Sequence, residues 1–419
     1  MAFRQWIAVY ACLAGMTVLP AAQEGAAPFE KGGIDLSGPY EPVPNWPQPV
    51  VEGMTWGRTP TVFAETPNRI FVMQSGMVPL SWKRLDPAIL RPRVGAPATA
   101  RPAAPVASSF SAGGVGGGVP FTPSDIATHC AVTGTCTSRD DTSMFEIDTR
   151  KPIAGARWDH ILMIFDANGT LVESWDQHNT LFTHPHSIAV NPYDPEHHVW
   201  VVDDGSEQIF KFTRDGRLVM TVGEFRVKGA DTTHLGGPCG IAFLPNGDFY
   251  VSDGYKNTRV VKFNKDGKYL LEWGTPGSGP GQFGSPHGVA VDGSGRVYVA
   301  DRTNQRVQVF DGSGTLLDIW PNVFASNLAV SKDQKYLWVS AGGRQNKILQ
   351  YELTTGRLLY AWGTFGSEPG ELWGVHGFSV DTEGNLYLGE SYTGRSQKLR
   401  PRKGADRAKA IGPLMTMPK

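Results

Sequence analysis

Pro286-His287-Gly288-Val289-Ala290-Val291 runs into the turn Asp292-Gly-Ser-Gly and then into a β-rich run at residues 297–300. The chain repeats this cadence, with openings His186-Ser-Ile-Ala-Val, Cys239-Gly-Ile-Ala-Phe, His287-Gly-Val-Ala-Val, Ser326-Asn-Leu-Ala-Val and His376-Gly-Phe-Ser-Val. A further strand follows each polar turn, as in Arg259-Val-Val-Lys-Phe or Arg306-Val-Gln-Val-Phe, and a last strand ends near Trp273, Trp320 or Trp362. Measured between Ile188, Ile241, Val289, Leu328 and Phe378, the steps are 53, 48, 39 and 50 residues. Four short strands per unit at such intervals mark a propeller blade. A divergent sixth copy starts at Thr61-Val-Phe-Ala, with a strand at 69–73 and, after an interruption, strands at 144–148 and 161–175. The expected fold class is all-β, a six-bladed β-propeller whose closed ring leaves no open edge.

Composition agrees. Of 419 residues, 50 are Gly and 31 Pro, with 12 Trp and 12 Tyr, as in a β-protein with many tight turns. The 39 Lys+Arg balance 40 Asp+Glu to a net −1, so no basic face is available and nucleic acid is excluded as a partner.

The chain divides into four parts, three of them outside the repeats. Residues 1–22 read as a signal peptide: Arg4, an apolar run from Trp6 to Leu19, then Ala21 and Ala22. The run is too short to favour a permanent membrane span, and an uncleaved anchor is the alternative. Residues 23–50 read as an extended lead-in, 51–399 as the propeller, and 400–419 as a basic, solvated tail. Within the propeller, 84–123 has no apolar periodicity and reads as a mobile insertion, unable to offset its ordering entropy. Cys130 and Cys136 flank a short turn-prone stretch that a disulfide would close in an oxidising compartment; a metal reading with His129 is the alternative. Cys239 is left over, as a small buried group or one that faces the axis.

The first strand of a propeller blade lines the central channel, so its opening residue looks into the channel mouth. His186, His287 and His376 open the strands of blades two, four and six, a third of a turn apart. Three neutral imidazoles with an open fourth position suit a catalytic zinc. Imidazole also suits copper, nickel and iron. Among the other histidines, His178, His184, His197 and His198 are expected in solvated turns.

A second ring of residues follows the next strand of each blade: Ser75, Asp203, Asp253, Asp301 and Glu390 lie in it. The aspartates read as turn residues binding backbone amides. Arg259 and Arg306 recur at one place and read as structural. Tyr255 and Arg302 stand out, because a phenol beside a cation can act as a base and a guanidinium can hold a carboxylate.

Ser252-Asp-Gly-Tyr-Lys-Asn-Thr-Arg259, Pro280-Gly-Gln-Phe-Gly-Ser-Pro-His287 and Ala300-Asp-Arg302 resemble the NHL-repeat propellers and, more closely, peptidyl-α-hydroxyglycine α-amidating lyase. The resemblance runs from about Val51 to Leu399 outside the insertion. It implies zinc on His186, His287 and His376, Tyr255 as base and Arg302 on the substrate. Three positions depart from the family: Ser75-Gly76 replaces its Arg-Gly, so a second active-site arginine is expected to be missing. Gly377 replaces an aspartate that helps hold a structural Ca2+, and Gly374 replaces a methionine.

The function expected is that of a secreted or periplasmic, metal-dependent lyase. It would cleave the C–N bond of a peptidyl-α-hydroxyglycine or related N-acyl carbinolamide to an amide and glyoxylate. A non-catalytic scaffold propeller and a metal-dependent hydrolase are the alternatives. The substrate, a small molecule or peptide, would enter the channel mouth of a monomer.

Overall fold

The structure is a computed structural model that describes residues 37–79, 156–342 and 345–416, which belong to a compact unit running from Ile34 to Lys419. Six four-stranded antiparallel sheets form six blades. Blade 1 has Thr61–Thr66, Arg69–Met73, Leu162–Phe165 and Leu171–Ser174; blade 2 has Pro185–Val190, Val199–Asp203, Gln208–Phe212 and Leu218–Val222. Blade 3 has Pro238–Phe243, Phe249–Asp253, Arg259–Phe263 and Tyr269–Trp273; blade 4 has Pro286–Val291, Val297–Asp301, Arg306–Phe310 and Leu316–Pro321. Blade 5 has Ala325–Val330, Tyr336–Ala341, Lys347–Glu352 and Leu358–Trp362.

Blade 6 takes Val375–Val380, Leu386–Glu390 and Arg395–Pro401 from the end of the chain and its outermost strand, Tyr40–Pro42, from the beginning. First strands of successive blades touch all the way round, blade 6 meeting blade 1. The ring is therefore closed by the N-terminal segment, and the lead-in expected over 23–50 contributes a strand to the propeller. Tyr40 carries that closure: it is fully buried, and its Oη accepts a hydrogen bond from Ile411 N at 2.8 Å.

The strand chemistry follows position in the blade. Second strands such as Val297–Asp301 are buried along their whole length, because neighbouring blades cover both faces. Fourth strands such as Tyr269–Trp273 alternate between half-buried and exposed, as expected at the rim.

Two expectations change. The third and fourth strands of blade 1 both lie within the 161–175 stretch, where Asp166 and Thr170 close a turn; residues 144–148 lie outside the described ones. The C-terminal segment is not solvated throughout. Ile411 and Leu414 are buried, Met415 N donates to Val330 O at 2.8 Å, and Met415 and Thr416 join the lining of the channel at the end away from the histidines. Apolar Ile, Leu and Met at the end of a basic segment are the reason. The 84–123 insertion, the 1–22 segment, Cys130 and Cys136 lie outside the described residues. Among the described residues, no helix is long and apolar enough to cross a membrane.

Candidate functional site

Every first strand that opens on His186, Cys239, His287, Ser326 or His376 carries a bulge at that residue. Pro185 pairs with Asp203 and Ser187 with Val202, leaving His186 unpaired between them. The same irregularity falls across Cys239, His287, Ser326 and His376. A bulge adds one residue to one strand and re-aims its side chain. At His186, His287 and His376 it accompanies imidazoles that meet at the axis.

The histidines are 1 %, 1 % and 8 % exposed in chain order, so little water competes for their ring nitrogens. Nε2 of His287 lies 3.1 Å from Nε2 of His186 and 3.1 Å from Nε2 of His376. Each opposite nitrogen is bound to the backbone of the next blade: His186 Nδ1 to Cys239 O at 2.7 Å, His287 Nδ1 to Ser326 O at 2.6 Å and His376 Nδ1 to Pro60 O at 2.9 Å. A carbonyl only accepts, so Nδ1 carries the proton and Nε2 presents a lone pair inward. Burial holds all three well below the ordinary imidazole value, with neighbouring imidazoles and the nearby arginines adding to it. Three neutral Nε2 donors oriented by second ligands fit a metal ion.

Tyr255 and Arg302 both lie at this cluster. The half-buried Tyr255 places its hydroxyl 3.0 Å from Nε2 of His186 and 3.0 Å from Nε2 of His287. Burial pushes its pKa up, and Arg302 pulls in the other direction. Arg302 is 5 % exposed, with its guanidinium over the rings of Tyr255 and Phe324 at 5.2 and 5.7 Å. Among the described residues no carboxylate pairs with it, an arrangement that suits an anionic ligand. Cys239 is buried and its thiol donates to Gly237 O, so it packs in the wall.

Ser75 supplies no arginine, but a second buried arginine lies near the cluster from another position. Arg58, 4 % exposed, precedes blade 1, and its Nη1 lies 2.9 Å from Nε2 of His184. Its charge acts on all three axial imidazoles and on Tyr255. His184 is therefore not in a solvated turn: its Nδ1 is bound to Asp204. His198 is buried against Asp194, His197 binds Glu65 at 2.9 Å, and His178 binds Gly216 O at 2.6 Å. Each found an acceptor in the wall of its own or a neighbouring blade. Tyr392, half-buried after the second strand of blade 6, feels both Arg302 and Arg58. Sequence held one signal for Arg58: Pro60-Thr61 aligns with Pro185-His186, Pro238-Cys239 and Pro286-His287, which places the residues before Pro60 at the channel mouth.

The scaffold around the site is periodic. Asp203, Asp253 and Asp301 accept backbone amides from the segment leading into their own blade, including Thr183 N at 2.8 Å, Gly236 N at 2.7 Å and Gly284 N at 2.8 Å. Arg259 and Arg306 clamp Asp253 and Asp301 at 2.9 and 2.8 Å, as structural residues. Glu390 and Arg395 repeat the pair in blade 6. Position 377 does not fit a calcium ligand: a Cβ there would stand 2.9 Å from Pro60 O and 3.1 Å from Thr61 Cα.

The NHL repeat family matches residues 283–310, which include the first three strands of blade 4. NHL repeat-containing protein 3 of Homo sapiens is 34 % identical over 201 residues, 44 % of this chain and 57 % of that protein. Peptidylglycine alpha-amidating monooxygenase of Rattus norvegicus is 36 % identical over 161 residues, 36 % of this chain and 16 % of that protein. A probable peptidyl-alpha-hydroxyglycine alpha-amidating lyase of Caenorhabditis elegans is 31 % identical over 193 residues, 42 % of this chain and 54 % of that protein. The chain thus spans little more than half the length of the first of these relatives, and far less of the second. With its six blades and its axial histidines, the chain is a propeller carrying an NHL repeat and is related in sequence to the peptidyl-α-hydroxyglycine α-amidating lyases.

Proposed function

We propose that the protein is a zinc-dependent lyase that cleaves the C–N bond of a peptidyl-α-hydroxyglycine, or a related N-acyl carbinolamide, to an amide and glyoxylate. The observation that carries this reading is the Tyr255 hydroxyl, 3.0 Å from two of three inward-facing Nε2 atoms, beside the buried Arg302. His186, His287 and His376 would hold the metal, which when bound supplies a Lewis acid that acidifies a hydroxyl.

The chain's own groups divide the remaining work. Arg302 takes the substrate carboxylate, which would otherwise leave a guanidinium buried without an anion. Tyr255, next to that cation, receives the proton of the carbinol hydroxyl. The hydroxyl oxygen closes to a carbonyl, and the C–N electron pair leaves with nitrogen. Half-burial of Tyr255 keeps bulk water from competing for its proton. The channel mouth admits the acylamino side of the substrate to a monomer that works in the secreted or periplasmic space after loss of residues 1–22.

The second reading is a binding scaffold without turnover; the chain also matches NHL repeat-containing protein 3, whose name states no activity. One experiment separates the two: elemental mass spectrometry of the mature protein and of His287→Ala, with glyoxylate release from N-benzoyl-α-hydroxyglycine. About one zinc per chain, lost in the variant, together with glyoxylate release is the expected result. Metal-loaded protein that releases no glyoxylate from several α-hydroxyglycine compounds would leave the scaffold.

A further inference from the structure

Arg58 and Arg302 approach the histidines from opposite sides. Arg58 comes from the segment before blade 1 and Arg302 from the turn after the second strand of blade 4. In a closed ring of six these blades face each other. The two guanidiniums also differ in what accompanies them. Arg302 has no carboxylate partner among the described residues. Arg58 is linked to one through an imidazole: its Nη1 meets His184 Nε2 at 2.9 Å, and His184 Nδ1 is bound to Asp204, itself 8 % exposed.

Arginine does not give up its proton, so Nε2 of His184 accepts and Nδ1 donates to Asp204. That tautomer fixes the ring, and the ring fixes the guanidinium. Asp203 holds the same segment by accepting from His184 N at 3.0 Å. The remaining N–H groups of Arg58 have no protein acceptor among the described residues. On the turns of blades 1 and 6 lie two buried hydroxyls without partners among the described residues, Ser75 Oγ and Ser391 Oγ. Ser75 is tied to Arg58 directly, its N donating to Arg58 O at 2.8 Å.

We propose that Arg58 binds the acyl oxygen of the substrate and stabilises the departing amide, across the histidine cluster from Arg302 on the carboxylate. This assignment rests on the lyase reading above. Charge balance sets which arginine takes which group. The full charge of Arg302 matches a carboxylate, whereas Arg58, partly compensated by Asp204 through His184, matches a neutral oxygen that gains charge only as the bond breaks. When the C–N bond breaks, its electron pair passes to nitrogen and is shared with the acyl oxygen as an imidate. A proton returning to nitrogen completes the amide. Arg58 donates hydrogen bonds throughout and transfers no proton. His184 and Asp204 are positioning residues that act through Arg58.

The test uses the metal-loaded full chain, two unreactive ligands and two variants, Arg58→Met and Arg58→Lys. N-benzoylglycine has both carboxylate and acyl oxygen; glyoxylate has the carboxylate and no acyl oxygen. Calorimetry should show N-benzoylglycine binding weakened about tenfold in Arg58→Met, the scale of a lost charge-assisted bond, with glyoxylate binding kept. Arg58→Lys, which keeps the charge without the planar fork, should fall between the two. Arg302→Met should weaken both ligands. In turnover, Arg58→Met should lower kcat about 10²–10³-fold and make the rate depend more steeply on electron-withdrawing substituents of the benzoyl ring. A purely structural role for Arg58 would not move that dependence.

Equal loss of both ligands in Arg58→Met, unchanged binding of both, or no binding of either ligand by the wild type would overturn the assignment. The predicted binding pattern without glyoxylate release from N-benzoyl-α-hydroxyglycine would uphold Arg58 as the acyl-oxygen ligand and refute the lyase reading alone.

Discussion

A Cβ placed on Gly374 would stand 2.0 Å from Cδ2 of Tyr392, so the tyrosine ring fills the side-chain space of the glycine. Gly374 also has φ of +67°, a left-handed backbone that favours glycine. The methionine that the family resemblance implies here therefore has no room, and an aromatic ring from the neighbouring turn stands in its place. Tyr392 follows the second strand of blade 6, and Tyr255 follows that of blade 3, across the ring. Gly374→Ala is expected to destabilise the protein by about 1–3 kcal/mol, through both backbone strain and displacement of the ring. Combining it with Tyr392→Ala should relieve the clash but not the backbone strain. Urea unfolding of the two variants checks this; equal stability of Gly374→Ala and wild type would refute it.

On the lyase reading, Tyr255→Phe removes one oxygen from a site whose candidate metal donors are all imidazoles. Zinc content should stay at the wild-type level, while glyoxylate release should fall about 10²–10⁴-fold, the range for a lost general base. Loss of metal in this variant would show instead that the phenol is a ligand.

The acceptors that orient the three histidines are backbone carbonyls. Cys239→Ala and Ser326→Ala should therefore leave zinc affinity nearly unchanged, in contrast to the roughly 10–100-fold losses that follow removal of a side-chain orienting group. Competition with a chelator measures it. A large loss in either variant would mean that the side chains, and not the carbonyls, set the imidazoles.

In the metal-free protein, burial holds His186, His287 and His376 well below the ordinary imidazole value. The unfolded chain takes up protons on these residues below about pH 6.5, and the folded apo-protein does not. Unfolding then binds protons, so stability is full above that pH and falls as the pH drops below it. Tm of the apo-protein should decline between pH 7.5 and 5.5, and His287→Gln should flatten the decline by removing one of the three groups. A pH-independent difference between the two proteins would refute this origin.

Tyr40 joins the ring closure to the C-terminal segment. Tyr40→Phe leaves Ile411 N without its acceptor and should cost about 1–3 kcal/mol. Tyr40→Ala also opens a cavity between the closing strand and Trp362, whose ring centroid lies 5.8 Å from that of Tyr40, and should cost about 3–5 kcal/mol. Chemical denaturation gives both values, and a wild-type midpoint for Tyr40→Ala would show that the closure is not part of the cooperative unit.

Blade number, strand order within blades 2 to 5 and the axial histidine triad were legible because a blade is a local motif. Its turns and strands recur at a period, and the opening position of each first strand keeps one place in space. Tyr255 and Arg302 stood out for the same reason, as departures from the repeat. Other features join residues that no period relates. Tyr40 pairs with Pro401 because a ring must close somewhere, and that pairing depends on the whole circuit of blades. Arg58, His184, Asp204 and Tyr392 come from blades 1, 2 and 6 and meet only when first strands pack side by side. The bulges at His186, His287 and His376 follow from backbone register between strands, which side-chain pattern alone does not record. Repetition thus determined the propeller and the three axial imidazoles, while convergence of distant loops at one channel mouth decided which charged groups surround them, because each must find its partner across the ring.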